Sequence, residues 1–315
     1  LTRFQDRQEG ERVVDFYMIR DREVKRASNG TDYLNLTLER KLEYIPARLW
    51  DATEQHKQAL IRRAVVKVDG VVTVYRQQKQ LNIQRIRLAT DEDPVTVAEL
   101  ISKPGLSREE LWHELRMIIE EIQDETLLKL VKTMLGKKEI RERFTTIPAS
   151  KATHHPYYAG LLEHVVEVCQ SILQLSLIYG TINRDVVIAA AILHDIGKVA
   201  ALHDPFAPEY TDEGEMIGHV VLGVELINQT AQELGISMDE PILLAVKHCI
   251  LSQREQDEGA TSFVYGPKTK EAILLAALDQ LNGRLNSFEL MASHAEERWT
   301  YSPLFKRKMF TPDND

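Results

Sequence analysis

Apolar and polar residues alternate through the first part of the chain, and from Asp93 onward the apolar positions recur every three or four residues. The alternating part predicts strands at Val13–Arg20, Tyr33–Leu38 (with Leu34, Leu36 and Leu38 on one face), Ile45–Trp50, Val65–Val74 and Gln80–Leu88. Ser28, Asn29 and Gly30, and later Asp69 and Gly70, are turn signals between them. A polar, alanine-containing stretch from Ala52 to Leu60 predicts a short helix between the third and fourth strands. Five strands with a helix at that place follow the order of an OB-type barrel. Residues 1–90 are therefore expected to form an OB-fold nucleic-acid-binding domain.

The helical part opens near Pro94, breaks at Pro104 and Gly105, and restarts at a capping box of Ser107 and Glu110 ahead of Leu111, Leu115, Ile118, Ile119 and Ile122. Residues 91–147 read as a helical connector. Beyond Pro148 the patterned segments are Leu161–Leu177, Arg184–Leu193, His219–Leu234, Pro241–Leu251 and Lys270–Asn286, so residues 148–315 are expected to be an all-α bundle. The tail after Trp299 is basic and lacks periodicity. The longest apolar run, Val186–Leu193, is under half of the roughly 20 residues a membrane span needs, so no membrane contact is expected.

At 315 residues, 43% of them hydrophobic and 28% charged, the chain has enough apolar material for two cores. Its two cysteines, Cys169 and Cys249, lie far apart in apolar runs and no charged leader opens the sequence, which predicts a reducing cytoplasm. The net charge of -9 is unevenly divided: residues 1–90 hold 18 Lys and Arg against 12 Asp and Glu, and the remainder holds 21 against 36. A basic barrel suits phosphate, which is met by local patches rather than by the charge of a whole chain.

The chemistry-bearing residues cluster in the helical half. His194 and Asp195, within Ala189–Lys198, end an apolar helix and precede Gly197. A divalent cation would neutralise such a carboxylate and accept the imidazole nitrogen, whereas the plainer reading is a capped helix end with a hydrogen-bonded histidine. His164, within Gly160–Val166, and Asp279, within Ala276–Asn282, are polar residues among apolar neighbours on two further helices. Four ligands from three helices can converge in a bundle core. Phosphate-binding Gly-rich loops, cysteine-based zinc patterns and a nucleophile elbow are all missing, which sets those enzyme classes aside.

The order His164, His194, Asp195, Asp279, with the run Leu193–Lys198 (Leu-His-Asp-Ile-Gly-Lys), is similar to the HD superfamily of metal-dependent phosphohydrolases. More specifically, a barrel containing Ala47–Asp51 (Ala-Arg-Leu-Trp-Asp), a helical connector, His154 and His155, Gly160–His164, Leu193–Lys198, and Gly218 with His219 resembles the YhaM-type 3′ to 5′ exoribonucleases. The resemblance implies that His164, His194, Asp195 and Asp279 are metal ligands. It also implies that Asp195 can bridge two metals, that His219 belongs to the second metal, that Lys198 faces the scissile phosphate, and that His154 and His155 contact substrate or metal. Single-stranded RNA, or also DNA, is the implied substrate, with nucleoside monophosphates as products, and a homo-oligomer is implied. Manganese is the leading metal by resemblance, while the ligand types also suit iron, zinc, cobalt, nickel or magnesium.

One departure stands out. Where the family has a Ser-His-His segment after the helix of His248, this chain has Ser252, Gln253 and Arg254, then the acidic stretch Glu255–Glu258. The second metal thereby loses two histidines, with His248 as a substitute ligand and Arg254 as a phosphate-binding cation in its place. On the barrel, Tyr33, Trp50 and Tyr75 are candidate stacking residues, with Arg48, Arg76, Lys79 and Arg85 as candidate phosphate contacts. Two rival readings remain from sequence: an HD enzyme acting on a small nucleotide, and a nucleic-acid-binding protein with a degenerate site.

Overall fold

The computed structural model describes residues 3–27, 30–75, 78–103, 105, 107–206, 208–253, 266–293, 295 and 297–311. Ser28, Asn29, Arg76, Pro104 and the stretch from Arg254 to Glu258, all singled out above, lie outside the described residues. The chain forms two compact units, Leu1–Gly105 and Leu106–Asp315.

In the first unit β1 (Arg12–Arg26), β2 (Asp32–Arg40), β3 (Glu43–Leu49), β4 (Val65–Tyr75) and β5 (Gln78–Leu88) close into a barrel in the order β1-β2-β3-β5-β4. β3 and β5 run parallel, and the other neighbouring pairs run antiparallel. Helix α1 (Glu54–Ala59) joins β3 to β4 and is capped by the Thr53 side chain, which accepts from the His56 amide. This is the OB-type barrel expected from the alternation. Leu34, Leu36 and Leu38 do point inward, against Ala47, Val66, Val68, Val72 and Leu81.

β1 runs six residues beyond the expected end, through the charged stretch Asp21–Arg26. No apolar alternation marks that stretch, and its strand conformation comes from pairing with β2, from Asp21 opposite Thr37 to Arg26 opposite Asp32. Tertiary pairing here overrides a weak local preference. Helix α2 (Val97–Ile101) also belongs to this unit, with Leu100 and Ile101 buried and the Leu100 carbonyl accepting from the Lys41 amide.

The second unit holds α3 (Arg108–Glu120), α4 (Glu125–Gly136), α5 (Lys138–Phe144), α6 (Gly160–Ile178), α7 (Arg184–Leu193), α8 (Lys198–Ala201), α9 (Asp212–Met216), α10 (His219–Glu233), α11 (Pro241–Leu251) and α12 (Lys270–Ser293). Ser107 and Glu110 form the expected capping box at the start of α3. Leu115, Leu127, Leu130, Met134 and Phe144, from α3 to α5, share one core with Leu161, Val165 and Ile172 of α6 and with α7. The stretch 91–147 is thus helical, but its residues are distributed: α2 sits on the barrel and α3–α5 furnish bundle core.

Helix α7 is buried on every side from Val186 to Leu193, as a central helix must be. Helix α6 is long and apolar enough, at 19 residues and a mean hydropathy of 1.4, to pass for a membrane span. Half of it is nevertheless buried in the bundle, including His164 and Glu163. The non-periodic tail forms an antiparallel hairpin of β6 (Trp299–Ser302) and β7 (Arg307–Phe310).

Candidate metal centre

Three helices deliver the central residues. His164 comes from the second turn of α6, His194 is the C-cap of α7, and Asp279 projects from α12. After Leu193 the chain leaves the α-helix in two tight turns, with the Ile196 amide bonding the Leu193 carbonyl and the Lys198 amide bonding the Asp195 carbonyl. That turn carries Asp195 inward beside His194.

His164 Nε2 lies 3.1 Å from His194 Nε2 and 3.2 Å from Asp279 Oδ1. Asp195 Oδ2 stands 3.4 Å from His194 Nε2 and 3.8 Å from His164 Nε2, and Asp279 Oδ1 is 3.8 Å from His194 Nε2. Both imidazoles are fully buried, and Asp195 nearly so. Of the four side chains named from sequence, His164, His194 and Asp279 thus bring their ligand atoms within 4.8 Å of one another, and Asp195 adjoins both imidazoles.

Hydrogen bonding on the far sides decides what these rings present. His194 Nδ1 meets the Ala191 carbonyl at 2.7 Å, and since a carbonyl only accepts, Nδ1 carries the proton. His164 Nδ1 meets Asn282 Oδ1 at 2.6 Å, while the Asn282 amide donates to Glu167 Oε2 at 2.7 Å, which orients the amide so that Nδ1 again donates. When neutral, each ring thus turns an Nε2 lone pair toward the pocket, where the carboxylates add only further lone pairs.

Such a set calls for positive charge. Burial by itself would raise the Asp195 carboxyl, but the Lys198 ammonium and the His194 imidazole outweigh it and hold Asp195 well below the usual carboxylate range. Burial opposes ionisation of Asp279 as well, and the hydrogen bond with His164 and the charge of His194 bring it down to about 2. At His194 burial lowers proton affinity, yet the adjoining carboxylates prevail and raise it. Two ionised carboxylates and two converging imidazole nitrogens fit a divalent cation in donor type, number and charge.

The two oxygens of Asp195 face different partners. Oδ2 faces His164, His194 and the Lys198 ammonium, and Oδ1 lies 3.3 Å from His219 Nε2. Gly197 makes that second approach fit: a Cβ there would stand 1.9 Å from the His219 carbonyl oxygen and 2.4 Å from the Gly223 amide. The first turn of α10 therefore rests directly on the backbone after Asp195. Lys198, expected to face the scissile phosphate, is largely buried and paired with Asp195.

The histidines ahead of α6 divide in role. His155 is fully buried; its amide donates to Asn286 Oδ1 at 2.6 Å and its Nε2 meets Glu167 Oε2 at 3.1 Å. A direct substrate contact by His155 is thereby replaced by a buttress. The reason is Gly160, whose missing Cβ, 2.1 Å from the His155 carbonyl oxygen if present, lets this loop close onto the start of α6. His154 sits with its ring 5.2 Å from that of His164 and with Nδ1 buried and unpartnered. Burial, then the charges of Lys198 and His164, push its imidazole down to about 3, so it is neutral at neutral pH.

Two contributors escaped the sequence reading, Glu167 and Asn282. Each lies three residues beyond a named ligand, Glu167 after His164 and Asn282 after Asp279, and so shares its helix face. That spacing was the available signal.

A profile of the HD domain matches residues 161–283, the span that contains all four side chains. A 3′-5′ exoribonuclease YhaM from Geobacillus sp. is 33% identical over 280 residues, covering 89% of this chain and 85% of that protein. YhaM from Listeria welshimeri is 32% identical over 312 residues, covering 99% of this chain and 96% of its own.

The chain belongs to the YhaM family.

YhaM from Oceanobacillus iheyensis agrees, at 33% identity over 97% of this chain and 93% of that one. Among solved structures, a replication protein A heterotrimer bound to ssDNA overlaps 27% of this chain and 62% of that chain at 18% identity, with a TM-score of 0.21, too low to define a common fold. The HD domain of a YhaM-family chain implies a divalent metal, and the His/Asp cluster supplies the place for one.

The departure after α11 can be followed only as far as Gln253. Its side chain is 5% exposed and its Oε1 has no hydrogen-bond partner among the described residues. Arg254, the expected phosphate contact, lies outside the described residues. His248, the expected substitute ligand, has its Nε2 taken up by the Lys268 amide, which donates to it at 2.9 Å.

On the barrel, the structure brings the proposed stacking residues together. Tyr33 and Trp50 lie with ring centroids 4.7 Å apart, and the Arg48 guanidinium stands 5.8 Å from the Trp50 ring and 4.7 Å from that of Tyr75. Arg48 Nε has no hydrogen-bond partner among the described residues. Alternation accounts for the grouping, because Leu34 pairs with Leu49 facing inward, which turns their neighbours Tyr33, Arg48 and Trp50 outward. Arg85 is exposed, but Lys79 is not available for phosphate, since its ammonium is bound by the carbonyls of Gln5 and Arg7.

Proposed function

We propose that this chain is a metal-dependent exoribonuclease that removes nucleoside monophosphates from the 3′ end of single-stranded RNA, with DNA as a second substrate. The observation that carries the reading is the cluster of His164, His194 and Asp279, with Asp195 beside both imidazoles, in a YhaM-family chain. These four side chains would hold a divalent metal, with manganese as the leading identity. When bound, such an ion polarises a phosphoryl oxygen and acidifies water, which makes a phosphodiester hydrolysable at neutral pH.

The chain's own groups do the rest. Ala191 and Asn282 fix the imidazole tautomers, so that both Nε2 atoms stay turned to the pocket. Lys198 balances the charge of Asp195 at Oδ2, next to where phosphate would enter. His219, beside Asp195 Oδ1, would help hold a second cation if one were bound. On the barrel, Tyr33, Trp50 and Tyr75 offer ring faces to bases and Arg48 offers a guanidinium to the phosphate chain. The free, buried Cys169 and Cys249 support a reducing, cytoplasmic setting, and self-association is an expectation of the family resemblance.

The test is a 5′-labelled oligoribonucleotide incubated with protein and Mn2+. Progressive shortening from the 3′ end with release of nucleoside monophosphates, stopped by EDTA, is the expected result. Hydrolysis confined to free nucleotides, or untouched by chelation, would overturn the reading.

A further inference from the structure

The C-terminal hairpin belongs to neither the metal centre nor the barrel. In its register Trp299 pairs with Phe310, and Tyr301 with Lys308. Cross-strand partners share a face, as do residues two apart on a strand, so Trp299, Tyr301, Lys308 and Phe310 form one surface of the ribbon. Thr300, Ser302, Arg307 and Met309 form the other, and the burial of Ser302, at 5% exposed, marks that side as the one turned inward near β6's end. The aromatic side is open: Trp299 is 57% exposed, Tyr301 60% and Phe310 43%.

This platform is built rather than frayed. The Thr311 amide donates to the Arg298 carbonyl at 2.8 Å and its hydroxyl to the Glu297 carbonyl at 3.1 Å, which clamps the base of the ribbon. Trp299 and Phe310 pack with centroids 5.2 Å apart, and the Arg298 guanidinium lies 5.6 Å from the Phe310 ring. Three large rings left in water on one small ribbon are a surface that calls for a partner.

Charge selects the partner. Arg298, Lys306, Arg307 and Lys308 are all exposed, and Glu297 is the single acid from residue 297 to 311. This positive spot sits in a part of the chain, residues 91–315, that carries 21 Lys and Arg against 36 Asp and Glu. An anionic bilayer is a broad surface and would bring that acidic remainder against its headgroups. A single strand needs only a narrow strip, with ring faces for bases and cations for phosphates.

We infer that the β6–β7 hairpin is a second contact surface for single-stranded nucleic acid, in addition to the barrel platform, with Trp299 and Tyr301 stacking bases and Lys306 and Lys308 meeting phosphates. The inference rests on the reading of the chain as a nuclease acting on single strands.

The experiment uses the full chain with Mn2+ and a hydrolysis-resistant, 2′-O-methyl phosphorothioate RNA longer than the roughly 16 nucleotides an OB barrel covers. Binding is followed by fluorescence anisotropy across a salt series for the unmodified protein and three variants: Trp299→Ser with Tyr301→Ser; Lys306→Ser with Lys308→Ser; and Arg48→Ser on the barrel. Loss of the two rings should weaken binding by about tenfold or more. Loss of the two cations should reduce the magnitude of the log–log salt slope by about 1.4. The altered side chains are exposed, and far-UV circular dichroism checks folding; should the ring variant misfold, the charge variant decides alone. If the unmodified protein binds no RNA, the nuclease reading fails. If it binds, and Arg48→Ser weakens binding while both hairpin variants bind as the unmodified chain does, the hairpin inference is overturned. Hairpin-dependent binding to phosphatidylserine vesicles with no effect on RNA overturns it too.

Discussion

The Nε2 atoms of His164 and His194 lie 3.1 Å apart, each on a ring whose other nitrogen is committed to an acceptor outside the pocket. Two imidazole lone pairs at that distance, beside two carboxylates, repel one another unless a positive charge stands among them. The arrangement is that of a ligand set, and the helices that carry it are held there by bundle packing rather than by the ligands' attraction for each other.

Replacing Asp195 by Ala removes the carboxylate that faces both His194 and His219. Hydrolysis of a 3′ end should fall below detection while the far-UV helix signal and the anisotropy of bound oligonucleotide stay close to those of the unmodified protein. Full activity in a metal-free Asp195→Ala protein would end the HD mechanism.

Glu167 accepts from both Asn282 and His155 and thereby orients the Asn282 oxygen on His164. Groups that orient metal-binding histidines in this way are worth about 10–100-fold in metal affinity. Glu167→Gln should weaken Mn2+ binding, read by isothermal titration calorimetry, by that factor. An unchanged dissociation constant would show that Asn282 keeps its orientation without Glu167.

Glu39 is buried in the barrel, 3% exposed, with Arg20 Nη1 donating to its Oε2 at 2.9 Å. Burial raises its carboxyl above the ordinary value of 4.5 more than Arg20 lowers it. The folded chain therefore keeps this proton when the unfolded chain has already lost it. Its contribution to stability is complete below pH 4.5, declines as pH rises through the raised folded value, and is then lost. Glu39→Gln, which cannot ionise, should flatten that decline in urea midpoints measured from acid to neutral pH. Equal slopes in both proteins would remove Glu39 as the source.

Gln253 places a buried amide oxygen after α11 that has no partner among the described residues. An amide oxygen is a poorer ligand than imidazole for manganese-like metals, and a guanidinium repels a cation. One tightly held metal per chain is expected by elemental analysis of the purified protein. Gln253→His combined with Arg254→His should raise the occupancy of a second metal near His219. Two fully occupied metals in the unmodified chain would show that the second position does not need those histidines.

Much of this was written in the chain itself. Period-two alternation from Leu34 to Leu38 specifies a strand with one buried face, and the all-apolar run of α7 specifies a central helix, because both signals are local and repeat over several residues. The neighbourhood of His164, His194, Asp195 and Asp279, the candidate ligands, was legible through a family pattern that pairs polar residues with apolar surroundings. Tertiary structure alone decided the rest. Asp21–Arg26 became strand because β2 pairs with it, and the basic tail became a hairpin with its rings outward because Trp299 meets Phe310 across the turn. His155 turned from a loop residue into a buried buttress because Gly160 admits its backbone, and Lys198 found Asp195 because the chain tightens after Leu193. Periodicity reports which face of an element is buried; which side chains meet across elements depends on close approaches of backbone that no local pattern encodes.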